Sequence, residues 1–301
     1  MSKFLYAVQL PVSNKVISLT ELSYIELRGI VKNIANENND IIANVFEEIL
    51  QSHCSEDITD LTAIDKLFIL LTIRSVCISP LLELVVTCPE TGKPFNYNQR
   101  IDNILNILRD NVFSEETKTY DKGIAVTYCL PKSIYLNRDI LDTAETVINN
   151  VSLNGHTFYN ITAEMVNKLP AVVLNDVNTY AIRVYEHLKN IELLNIPSPY
   201  AQDNGTATVL TANVFDNSVI EFLKLCYNRD LMSLYKIEYF LMKQFRMSFE
   251  TMQNLTIAEI NVYINLFKEE QEEQEKAEKQ QASGASPMPT IGSAPKSGGI
   301  M

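Results

Sequence analysis

From Thr62 to Arg74 the chain reads Thr-Ala-Ile-Asp-Lys-Leu-Phe-Ile-Leu-Leu-Thr-Ile-Arg. A helix made of this segment carries Ile64, Leu67, Phe68, Ile69, Leu70, Leu71 and Ile73 on nearly every side. A surface helix keeps one apolar stripe and turns the rest to water, whereas a helix apolar all round is stabilised only when neighbours cover every face. The segment therefore belongs at the centre of a domain, and the remaining elements must be arranged around it. Thr62-x-x-Asp65 has the spacing of a capping box, with Asp shorter than the preferred Glu or Gln. Arg74 closes the apolar run. Its guanidinium either satisfies helix-end carbonyls or an acid such as Asp65, or anchors a subunit interface, where arginine is favoured.

Beyond Arg74, Leu81 to Thr87 reads as a strand, and Phe95-Asn-Tyr97-Asn returns across Cys88-Pro-Glu-Thr-Gly-Lys-Pro. The turn has the outline of a metal knuckle without its ligands. Zinc needs two thiolates about three residues apart, and Thr91 stands where the second would be. Cys88 is thus expected to serve a structural turn and to hold no metal. The five cysteines (Cys54, Cys77, Cys88, Cys129, Cys226) are dispersed and odd in number, which fits buried thiols in a reducing compartment rather than a disulfide framework.

Alternating Phe4, Tyr6, Val8 and Leu10 predict a strand ended by Pro11, with Lys15 to Ser18 pairing back across Val12-Ser-Asn14. Thr20 or Ser18 would cap a helix carrying Leu27, Ile30, Val31 and Ile34, and Asn36–Asn39 would break it. Ile42, Val45, Phe46, Ile49 and Leu50 mark the next helix, Ile104, Leu105 and Leu108 a short one, and Gly123 to Leu130 a strand. From about residue 137 the pattern becomes almost wholly helical, interrupted by the breaker-rich run from Ile196 to Gly205. Leu231, Leu234, Tyr235, Ile237, Tyr239, Phe240 and Leu241 predict a dense helix. Across the whole chain the 14 tyrosines and 12 phenylalanines are compatible with interfaces, but most of these rings fall on core stripes. Thr256-x-x-Glu259 opens the last helix, which runs out into Lys268–Gln281, where Ala277 is the one apolar residue. From Ala282 a Ser/Gly/Pro composition cannot bury enough surface to fold, and it ends on Ile300 and Met301. The expected organisation is α+β: a small mixed sheet-and-helix domain over 1–136, a mainly helical domain over 137–267, and a charged helical extension with a disordered tail over 268–301.

Composition excludes several functions. A net charge of −12 argues against a surface made for phosphate backbones, so no nucleic acid is expected as partner. No run approaches the ~20 apolar residues of a membrane span, and the start lacks the h-region of a signal peptide. His53, His156 and His187 fall at neither metal nor triad spacing. Gly92-Lys93 has no Gly-rich run before it and Pro94 where a phosphate loop needs Ser or Thr. Paired acids such as Glu47-Glu48 and Glu115-Glu116 lie in polar surface sequence, where they signify little without a cleft. No catalytic residue, cofactor or metal site is expected.

The segment from Asp65 through Arg74, the Cys-Pro hairpin and the strand ending in Leu130-Pro131 together resemble the baseplate hub family of T-even-type contractile-tailed bacteriophages. The run from Phe222 to Glu270, with Asn228-Arg-Asp230-Leu, Leu234-Tyr235 and Thr256-Ile-Ala-Glu259-Ile-Asn, shares that resemblance. It implies a non-enzymatic structural or assembly protein acting through protein–protein contacts. Its partners would be other hub or tape-measure proteins, with self-association within the baseplate a further expectation. The implied location is the virion tail baseplate, reached from the host cytoplasm during assembly. A transient assembly chaperone absent from the mature virion is the alternative within that biology, and an unrecognised hydrolase the remote one. Arg74, Ile300 and Met301 are the interface candidates.

Overall fold

The computed structural model describes residues 6–35, 38–135, 144–200, 208–215 and 217–284. Two antiparallel strands, β1 (Tyr6–Gln9) and β2 (Val16–Leu19), open the chain in the register Tyr6 opposite Leu19. Three helices follow: α1 (Tyr24–Ile34), α2 (Asn39–His53) and α3 (Ala63–Cys77). The cap of α1 lies at Ser23 rather than at Thr20 or Ser18, in a full capping box with Glu26. Asn38 caps α2 through its side chain. In α3, 12 of 15 residues are buried, which makes it the central helix its composition demands.

Hairpin β3 (Leu81–Thr87) and β4 (Pro94–Arg100) turns over Gly92, whose φ of 67° suits a residue without Cβ. Next come α4 (Ile101–Asp110), β5 (Glu116–Tyr120) and β6 (Ile124–Tyr128). The last two join β7 (Ile148–Leu153) and β8 (His156–Phe158) in a four-stranded antiparallel sheet. After α5 (Ala163–Asn167) and the long α6 (Ala171–Asn190), β9 (Glu192–Pro197) and β10 (Thr208–Asn213) form another two-stranded sheet. The rest is helical: α7 (Asn217–Tyr227), α8 (Leu231–Phe245), α9 (Phe249–Gln253) and α10 (Ile257–Gly284).

The α+β class and the helical carboxy-terminal region are as the sequence implied. Four strands nevertheless lie where helical sequence was expected, beyond residue 137. The turn between β7 and β8 is Asn154-Gly155, both with positive φ (49° and 85°), the backbone a two-residue hairpin needs. Its signal was legible, but Ile148-Asn-Asn-Val-Ser-Leu153 has too few apolar residues to show a strand by alternation.

The chain separates into a large compact unit up to Ile257 and a smaller one from Ala258 onward. In the large unit one cluster of buried side chains draws on residues from both sides of position 136, from Leu10 and Phe68 to Val184 and Phe222. In the smaller unit the side chains from Lys268 to Ala277 are exposed.

Candidate functional site

Arg74 sits in the last turn of α3, where its charge complements the helix dipole. Only 5% of the residue is exposed. Its Nε donates to the Cys226 carbonyl at 3.0 Å, and its Nη1 donates to the carbonyls of Ser79 and Leu81, the latter at 3.0 Å. One guanidinium thereby joins the ends of α3 and α7 to the start of β3. Burial pulls its pKa down from the ordinary arginine value. Asp65, nine residues earlier, faces elsewhere. Thr62 Oγ1 caps the Asp65 amide, but the Asp65 carboxylate does not reach back to complete the box. It accepts instead from the amides of Val12 (2.9 Å) and Ser13 (3.1 Å), fixing the β1–β2 turn to the central helix. Burial raises the Asp65 pKa, opposed by these same hydrogen bonds.

At the tip of the β3–β4 hairpin, the Cys88 amide donates to the Lys93 carbonyl and the Gly92 amide donates to the Cys88 carbonyl. Cys88 is wholly buried, its Sγ 3.1 Å from the Ser198 hydroxyl. Hydrogen bonds from Ser198 and Thr91 pull its thiol down to about 7, against burial that pushes it up. Tyr200 seals the tip: its hydroxyl donates to the Pro94 carbonyl at 3.2 Å and its ring lies edge-on to Phe95. Among the described residues, no group of three or more His, Cys, Asp and Glu could hold a metal ion.

One arrangement was not read from the sequence. Thr20 Oγ1, His53 and Glu26 form a hydroxyl–imidazole–carboxylate line, with 2.6 Å from Thr20 to Nδ1 and 3.1 Å from Nε2 to Glu26. Its members are 33 and 27 residues apart, beyond any local spacing signal. Such a line can activate a hydroxyl when a substrate reaches it. Here His53 is the buried last residue of α2, and the Glu26 carboxylate also accepts from the Ser23 amide and hydroxyl. Burial would raise the Glu26 pKa, but the bonds from His53 and Ser23 outweigh it and bring it to about 2. The line clamps the end of β2 to the termini of α1 and α2.

A groove of about 540 Å³ beside the β1–β2 turn includes Lys15, Asp60, Glu115, Lys132 and Tyr159. Its two acids are engaged, Asp60 by Lys132 at 2.8 Å and Glu115 by the Asn149 amide at 3.4 Å. An apolar groove of about 280 Å³ lies between Ile124, Val151 and the segment from Ile161 to Pro170. Neither groove includes the Thr20–His53–Glu26 line or Arg74.

On α8, read from the sequence as a dense helix, only Leu234 and Leu241 are buried, so its aromatic rings are in part a surface. Tyr239 is 66% exposed and Tyr235 39%. His156 is exposed, and His187 lies against Phe113 with Nε2 2.9 Å from the Asn111 carbonyl oxygen. Ile300 and Met301 lie outside the described residues. No described helix is long and apolar enough to cross a membrane.

These clamps define an α+β protein whose buried polar groups tie secondary-structure ends together. The sequence pattern of the family described as T4 bacteriophage base plate protein matches residues 1–192, more than half of the chain, and the chain belongs to that family. It is accordingly a phage baseplate protein, with other phage proteins as its partners. The match takes in α3, the Cys88 hairpin and the Thr20–His53–Glu26 line, and ends at the start of β9. No curated protein and no solved structure matches the chain.

Proposed function

We propose that the chain is a component of the baseplate hub that acts by surface complementarity and order of assembly, with no bond made or broken. Family membership over residues 1–192 carries this reading. The inward use of Arg74, Asp65, His53 and Glu26 supports it, because the groups best suited to chemistry are spent on holding helix ends and turns. Its partners are other hub or tape-measure proteins, and its place is the tail of the finished virion. Mass spectrometry of finished particles beside assembly intermediates tests this. Fixed stoichiometry in the particle is the expected result. Presence in intermediates alone would replace the hub role with that of a transient assembly factor.

A further inference from the structure

Helix α8 is held from one side. Tyr24 donates its hydroxyl to the Leu234 carbonyl at 2.7 Å, Arg28 pairs with Glu238 at 3.1 Å, and Leu234 and Leu241 are buried. Met232, Tyr239 and Met242, between 43% and 66% exposed, stand away from these contacts, and Tyr235, 39% exposed, lies at their edge with the Arg28 guanidinium 5.9 Å from its ring centre. Their spacing of three, four and three residues is that of a helix-pairing seam, and they span about 15 Å at 1.5 Å per residue. Methionine and tyrosine are the side chains that interfaces favour, the first for its adaptability and the second for its large contact area. Charge singles the strip out further. In a chain of net charge −12, the exposed ionic groups along it are Lys236 and Lys243, with Arg246 at the end of the helix and Asp230, engaged in capping the Met232 and Ser233 amides, at its start. The Lys243 ammonium lies 5.6 Å from the centre of the Tyr239 ring, so cation and apolar strip form one surface.

We propose that this face of α8 docks an amphipathic helix of another protein, whose apolar stripe is flanked by aspartate and glutamate. The inference rests on the reading that the chain works through protein contacts, and it names the chemistry of one partner. A second copy of the same face is a poor occupant. Antiparallel pairing sets Lys236 and Lys243 against their own counterparts. Parallel pairing offers Lys243 the Glu238 carboxylate, which Arg28 already holds. An acid-flanked helix satisfies the strip and its lysines together, in the manner of helix-in-groove recognition.

The test uses the purified full chain and two labelled synthetic helical peptides with leucines at the seam positions, one flanked by glutamates and one by lysines. Fluorescence anisotropy at low salt reads binding. The acid-flanked peptide should bind at least tenfold more tightly. Y239D should weaken it at least tenfold with an unchanged melting temperature, because that side chain is exposed. The double variant K236E/K243E should reverse the preference between the peptides. Equal binding of both, or binding of neither, overturns the proposal. So does a concentration-dependent dimer in sedimentation velocity that Y239D abolishes, since a second copy would then own the face. The outcome is separate from that of the particle analysis: a protein found in every virion could still fail to prefer the acid-flanked peptide.

Discussion

Replacing Arg74 by alanine separates an internal tie from an exposed anchor. The wild-type guanidinium serves the carbonyls of Cys226, Ser79 and Leu81. A buried acceptor left without its donor costs about 1–3 kcal/mol, so three of them set a ceiling of about 9 kcal/mol. Two terms lower it. Ser79 and Leu81 are only partly buried, so water reaches their carbonyls once the side chain is gone, whereas Cys226 is buried. Removing a cation from a poorly hydrated site also recovers part of its desolvation cost. The expected net loss is about 3–4 kcal/mol in R74A. Arg74→Lys should lose less, because one ammonium keeps the charge but cannot span acceptors on α7 and at the start of β3. Urea unfolding of the purified chain, comparing midpoint at constant slope, measures both. A loss under about 1 kcal/mol in R74A would refute the assignment. If such a stable variant also failed to bind its baseplate neighbours, Arg74 would be the interface anchor.

Three further outcomes follow from the fold. Phe68 is 1% exposed on the central helix, so Phe68→Ala should cost about 3–5 kcal/mol through the cavity it leaves; a wild-type melting temperature would show that the helix is not the core. Glu26 titrates at about 2, below its ordinary 4.5. Its contribution is therefore fully present above about 4.5 and lost as the pH falls towards 2. Wild type should lose more stability across that window than Glu26→Gln, and parallel unfolding curves would sink the clamp; Asp65, common to both proteins, cancels in the comparison. Truncation after Phe267 removes the exposed side chains of Lys268 to Ala277 and all that follows, and should leave the melting temperature unchanged while weakening association with a hub or tape-measure partner in pull-downs. A lowered melting temperature would mean the extension packs, and undiminished association would make it passive.

How far the sequence disclosed this architecture depends on how local each cause is. The central position of α3 follows from composition alone, because no other location stabilises such a helix. Its Thr62 cap and the β3–β4 turn at Gly92 need information from a few neighbouring residues, the pairing of β1 with β2 from the single stretch Tyr6 to Leu19, and all are present. Half-local signals did worse. Asn154-Gly155 specified its hairpin, yet the flanking strands are polar, and of the four-stranded sheet only β6 was read as a strand. β5, Glu-Thr-Lys-Thr-Tyr, likewise has little apolar content to betray it.

Long-range causes were illegible, and they decide what the polar groups do. Arg74 finds an acceptor 152 residues away, and the Asp65 carboxylate finds two amide donors more than 50 residues back. Local sequence could state that each needed a partner without saying which. The same limit explains α8. Periodicity identifies the side of a helix that is apolar, but burial requires a neighbour, and periodicity carries no information about neighbours. An unpartnered stripe and a core stripe have the same letters. The difference appears only when the fold leaves Met232, Tyr235, Tyr239 and Met242 facing outward with lysines beside them. For a protein that works by contact, the place where periodicity predicts a core and the fold supplies none is where a partner should be sought first.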